Sequence, residues 1–270
     1  VLDAVIDTFR ANLPVWHRYW AARRRILGVA RLEEWDVFAP LARRPLEVTY
    51  EQAVDWVIEG MSPMGEEYVE PMRRGLVEQR WVDVLPNRGK RDGAFCSRAY
   101  GHTPQVMMSF VGDLGSVSTL AHELGHAMHG VLMDGAQPLP YTEISMVAAE
   151  TASNFNQALV RRHLLSRFRE PDQRLDVLNE AFDNFHRYLF IMPTLVRFEL
   201  AVHDAVARGE GLTAESLVSL MRDLFQEGYG EHITADDRVG ITWAEFGHLY
   251  VPFYKFQYAA GISAAAALAE

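Results

Sequence analysis

Cysteine is almost missing from this chain: Cys96 stands alone among 270 residues. No disulfide framework can form within it, and such a sequence suits a reducing compartment, here expected to be the cytoplasm. Long apolar runs are missing too. No stretch reaches the ~18 consecutive apolar residues of a membrane-spanning helix. Positive charge is in deficit, with 26 Lys and Arg against 36 Asp and Glu and a formal net charge of −10. That balance argues against a nucleic-acid partner. Lysine occurs only at Lys90 and Lys255. Val1 to Arg10 show no basic stretch ahead of an apolar block, so a secretory leader is not expected there. Internal repeats, low-complexity linkers and glycine-rich phosphate loops are also lacking.

What is present is core-forming material. The 270 residues suffice for one large domain or two modest ones, and apolar residues, at 49%, allow a sizeable core. The chain is dominated by helical periodicity. Val1 to Leu27 repeats its apolar residues at three- and four-residue steps, with Pro14 as a possible kink. Arg23 to Arg25 read as its solvated basic end. Thr49 is placed to cap a helix over Tyr50 to Glu59, and Ser62-Pro63 to start another through Val77. Three strand-like stretches follow: Trp81 to Leu85, Ala94 to Ser97 and Val106 to Phe110. They predict one small sheet. Beyond it, helices are predicted over Glu143 to Phe168, over Asp172 to Arg208 with a break at Pro193, from Thr213 to about Glu227, and after Pro252.

Between the sheet and these helices lies His122-Glu123-Leu124-Gly125-His126. On a helix, residues four apart sit about 40° apart on one face. Two imidazoles so placed can bind one tetrahedral metal ion. Glu123 lies beside the metal and can take a proton from an attacking water. Ser118 or Thr119 can cap this helix, and Gly125 points to close approach of a neighbouring strand. A catalytic zinc needs a third protein ligand, and Glu143, Glu150 and His129 are the candidates. His129 shares the face of His126 and is placed better to support the site than to bind. Glu150 follows a loop through Gly135, Pro138 and Pro140, on a return helix. Glu143 precedes it by one heptad, on roughly the same face. A metzincin-type site would need a third His at position 132, which is Leu132.

Four ordered segments resemble the thimet oligopeptidase/oligoendopeptidase F family of zinc peptidases, above all its oligoendopeptidase F branch. They are Gly89-Lys90-Arg91-Asp92-Gly93-Ala94-Phe95-Cys96; the zinc-helix stretch Thr119 to His129; Glu150-Thr151-Ala152-Ser153-Asn154-Phe155-Asn156; and His248 to Tyr258. The resemblance implies a mainly α, zincin-type catalytic domain, with the small sheet ahead of the zinc-binding helix. It implies one Zn²⁺ per chain held by His122, His126 and Glu150, with Glu123 as general base. It implies an endopeptidase acting on internal bonds of oligopeptides, or a truncated relative that binds zinc or peptide without turnover. His248, with Tyr258 or Tyr254, is the expected donor to the oxyanion. The family often carries Glu where this chain has Gln157. Its chains are also longer, so residues 1–270 are expected to be one catalytic region of a longer protein: helical to 80, sheet and zinc helices over 81–170, helical again over 171–270.

Two further expectations come from the residues themselves. Val106, Met107, Met108, Ser109 and Phe110 are expected to form an edge strand pairing with extended substrate. Tyr250, Tyr254 and Tyr258 are spaced as one helical stripe, but Pro252 interrupts it and leaves Tyr250 free to contact substrate.

Overall fold

The computed structural model describes residues 1–91 and 93–270; Asp92, within the first segment of the family resemblance, lies outside them. Two helices open the chain, α1 (Leu2–Ala11) and α2 (Leu13–Leu27). Pro14 does not kink one long helix. It sits in the first turn of the second, where its missing N–H costs nothing. Thr49 caps α3 (Tyr50–Gly60) as expected, with Gln52 returning the bond in a capping box. A 3₁₀ turn at Ser62–Met64 precedes α4 (Glu66–Val77).

The sheet has three short strands, β1 (Val82–Asp83), β2 (Phe95–Ser97) and β3 (Gln105–Met107), in the order β1-β3-β2. β3 pairs in parallel with β1 and antiparallel with β2. The stretch expected at the edge is therefore the central strand, and its backbone is paired on both sides. Phe110 N–H, just beyond, donates to Val84 O. Val106 and Met108 are buried. These residues are core, and Val106 to Phe110 do not offer the free edge that substrate pairing requires.

Next comes α5 (Leu114–Ala136), which carries the His-Glu-x-x-His motif. Its cap is Asp113, whose side chain accepts from Ser116 N–H. It is not Ser118 or Thr119, which lie inside the helix. After a 3₁₀ turn at Leu139–Tyr141, Ser145 caps α6 (Met146–Arg167). Then follow α7 (Pro171–His186), a π-helical turn at Arg187–Ile191, and α8 (Met192–Ala207). Pro193 again falls in a first turn, so the interruption of this long helix lies just ahead of it. Thr213 caps α9 (Ala214–Tyr229). Two single-turn helices, α10 (Asp237–Gly240) and α11 (Thr242–Glu245), a 3₁₀ turn at Gly247–Tyr250, and α12 (Phe256–Ala269) complete the chain.

The described residues form two compact units: Val1–Leu41 with Phe182–Ala260, and Ala42–Ala181 with Gly261–Glu270. In the second, the buried face of α5 (Leu120, Leu124, Met128) packs into one core with Trp56, Met61, Met72, Val106 and Leu159. In the first, Trp16, Trp20, Phe190 and Tyr229 form an aromatic core. Arg23, expected in a solvated helix end, is fully buried there. It donates to Tyr19 Oη and to the carbonyls of Asp36 and Ala39, which tie the following loop down.

Candidate metal centre and active site

α5 and α6 build the centre in the second unit. Gly125 allows them to meet. A Cβ there would stand 2.5 Å from Ser153 Cα and 2.8 Å from Ala152 O. The close neighbour is thus a helix, not the expected strand. A side chain on Gly261, in α12, would in turn meet Glu150 Cβ at 2.6 Å. Tight backbone approach on two sides presses Glu150 toward the motif.

His122, His126 and Glu150 offer ligand atoms that all lie within 4.8 Å of one another. Glu150 Oε2 is 3.5 Å from His122 Nε2, and its Oε1 is 3.8 Å from His126 Nε2. The two imidazole planes are nearly perpendicular, at 86°. Two imidazole nitrogens and one buried carboxylate, converging from two rigid helices, fit a zinc ion. The other two candidates do not join them. Glu143 is exposed and precedes the cap of α6, so it does not share a helical face with Glu150. His129 lies outside the cluster among the described residues.

Protonation states follow from burial. Glu150 is only 3% exposed and Glu123 5%. Burial, then the neighbouring charge of Glu150, pushes the Glu123 carboxyl up to about 8, although Cys96 N–H donates to it. Its Oε2 has no hydrogen-bond partner. An unpaired buried carboxylate oxygen is costly, and a water or cation beside it would relieve that cost. Burial, then His129, lowers His126 to about 4, so its ring is neutral and able to ligate.

A polar chain fixes His122. Its Nδ1 lies 3.1 Å from Gln157 Oε1. An amide oxygen only accepts, so Nδ1 carries the hydrogen and Nε2 keeps its lone pair for a metal. Gln157 Nε2 donates to Ser118 Oγ at 2.7 Å. Arg161 also donates to Ser118 and grips Glu180 with two bonds of 2.6 and 2.8 Å. The departure from Glu at Gln157 therefore leaves the histidine supported, by a neutral amide. Ser118, Arg161 and Glu180 carried no local sign of this role, because their partners lie on three different helices.

In the first unit, His248 lies in the 3₁₀ turn before α12. Its ring stands 5.1 Å from Tyr254 and 5.7 Å from Tyr258. Tyr258 stacks face to face on Tyr188 at 5.2 Å. Burial, then the charges of Arg187 and Lys255, keeps His248 below its ordinary pKa. Tyr250 is 67% exposed and stands apart from this cluster. The expected stripe is thus divided: His248, Tyr254 and Tyr258 come together, and Tyr250 does not.

A two-helix His-His-Glu centre with a buried glutamic acid beside it, behind a small sheet, defines a helical zincin-type domain. The profile of Peptidase family M3 matches residues 1–270, and the chain belongs to that family. It is 37% identical over its full length to the oligopeptidase PepF of Bacillus subtilis, of which it covers 40%. It is 34% identical to the group B oligopeptidase PepB of Streptococcus agalactiae, covering 45% of that protein. Among solved structures, one from Chlamydophila abortus superposes with a TM-score of 0.81 at 34% identity, over 98% of this chain and 44% of the other. Oligoendopeptidase-F from Enterococcus faecium superposes with a TM-score of 0.68 at 27% identity, over 99% of this chain and 40% of the other. The chain thus spans less than half the length of these relatives. Among the described residues, no helix is long and apolar enough to cross a membrane.

Proposed function

We propose that this chain carries a zinc-dependent endopeptidase site that hydrolyses internal bonds of oligopeptides. One observation carries the reading: the ligand atoms of His122, His126 and Glu150 converge while the Glu123 carboxyl, buried and half unpaired, stands beside them. The relatives named as oligopeptidases support it. His122, His126 and Glu150 would hold the ion. When bound, zinc acidifies a water and polarises a carbonyl.

The chain's own residues supply the rest. Glu123 takes the proton of the attacking water and delivers it to the departing amine, a role typically worth about 10²–10⁴-fold. Gln157 holds His122 in the ligating tautomer. The oxyanion needs further donors, and His248 with Tyr258 or Tyr254 is assigned that part. Since β3 is enclosed, the outer edge of β2 becomes the site proposed for extended substrate. Tyr250, exposed, is assigned to substrate contact. The unpaired Cys96 goes with the reducing cytoplasm as the working compartment.

One competing reading is a domain that binds zinc or peptide without turnover. A quenched fluorescent peptide separates the two. Cleavage that chelator abolishes and zinc restores is expected. Stoichiometric zinc with no cleavage of a mixed peptide library would leave only binding.

A further inference from the structure

The first unit contains a buried ion pair that the chemistry above does not use. Lys255, one of only two lysines in the chain, is 0% exposed, and Glu199 on α8 is 5% exposed. Their charged atoms are 2.9 Å apart. Buried ion pairs are weak stabilisers, because desolvation offsets most of the attraction. This pair is better understood by what else it holds.

Besides its charge pairing with Glu199, the Lys255 ammonium donates to His248 O at 3.1 Å and to Val251 O at 3.3 Å. Glu199 uses its other oxygen to accept from Phe253 N–H at 2.6 Å. Phe253 is one of two non-glycine residues with positive φ among the described residues, at 53°. That conformation costs free energy in a bulky residue and needs surroundings that enforce it. One turn beyond Glu199, His203 stacks on the Phe253 ring at 5.2 Å. The pair therefore ties three backbone groups between positions 248 and 253 to the rigid face of α8. Tyr254, the next residue, and His248, the first of the tied groups, both take their positions from it.

We propose that Glu199 and Lys255 are positioning residues that hold the His248 ring and the Tyr254 phenol in their working geometry. The proposal rests on the assignment of His248 to the reaction, and it adds the device that sets that histidine in place. A small misplacement of a reacting group can cost on the order of 10²-fold in rate. The lysine's compact charge on a flexible stem can serve two carbonyls and a carboxylate together.

The test removes both charges together, since removing one would strand the other. Full-length Lys255→Met/Glu199→Leu is compared with wild type, His248→Ala and the combination of all three. Zinc content and thermal midpoint should stay near wild type, while amide exchange at Phe253 accelerates. kcat should fall about 10²-fold with little change in KM. Adding His248→Ala to the double variant should cost little more, because the two changes disable one element. A merely structural role would not produce that non-additivity. If the double variant does not fold, Lys255→Met/Glu199→Gln, which keeps an acceptor for Phe253 N–H, takes its place with the same expectation for zinc content, kcat and KM, while amide exchange at Phe253 stays near wild type. Wild-type kcat in the pair variant, alongside a loss in His248→Ala, overturns the inference and leaves the proposed function standing. Wild-type kcat in His248→Ala removes the histidine's role and the inference with it.

Discussion

Glu123 separates binding from turnover at the scale of single residues. It is not one of the three clustered ligands, yet it is buried, feels the charge of Glu150 and carries an oxygen without a partner. Glu123→Gln preserves shape and removes the base. It should therefore bind zinc as wild type does and lose about 10²–10⁴-fold in kcat; substantial residual turnover would transfer the base role elsewhere. The ligand assignment is read by chelator competition. Glu150→Ala should lose zinc affinity severely, whereas Glu143→Ala, exposed and outside the helix, should match wild type. Gln157→Ala should fall between them, at about 10–100-fold weaker binding, the usual cost of losing a group that orients a ligand. Equal affinity in Gln157→Ala and wild type would mean that His122 needs no external hold.

Single elements place these residues, and α5 with α6 is the decisive pair. Gly125→Ala adds one methyl at 2.5 Å from Ser153 Cα, on backbone that cannot swing aside. It should cost about 1–3 kcal/mol and weaken zinc binding, because the helices separate at the level of Glu150. Gly135→Ala, on the same helix with nothing within 4 Å, is the control and should stabilise by up to about 1 kcal/mol. Urea unfolding and zinc competition on both variants check this; a stabilised Gly125→Ala would refute the packing argument. How much of this was legible differs by element. The helices that carry the ligands were readable, because periodicity and the four-residue histidine spacing are local. The start of α5 is not legible, since Ser118 looks like a cap but is buried against Gln157, while Asp113 does the capping. The order of the strands could not be read, because β1-β3-β2 pairing is decided by contacts distant in sequence. Gln157 could be noticed as a departure, but its bond to His122 became visible only with α5 and α6 in place.

For the whole molecule, the buried His186 and the half-buried Glu34 of the unit built on the aromatic core act on its stability in opposite directions as pH changes. His186 is 2% exposed and neither ring nitrogen has a hydrogen-bond partner. Trp16, Trp20, Phe38 and Phe190 surround its ring, and burial, then the charge of Arg23, lowers it from 6.5 to about 3. The unfolded chain therefore binds a proton that the folded chain refuses, and stability is lost as pH falls from 6.5 toward 3. Glu34, whose carboxylate accepts from Tyr229 Oη at 3.4 Å, is raised by burial from 4.5 to about 7. There the folded chain holds the extra proton, so stability is gained as pH falls from 7 to 4.5. Each group contributes at most about 1.4 kcal/mol per pH unit. Their slopes oppose each other between 4.5 and 6.5, and His186 acts without that opposition below 4.5. His186→Phe keeps an aromatic ring in the cage and removes its proton. The stability difference between variant and wild type should then grow steadily as pH falls below 6.5. Glu34→Gln should do the reverse, losing the acid-side gain between 7 and 4.5. Urea titrations followed by the fluorescence of Trp16 and Trp20 read both. A difference between His186→Phe and wild type that stays constant from pH 7 to 4 would show that His186 takes up its proton as readily folded as unfolded, and that the aromatic core does not enforce its neutrality.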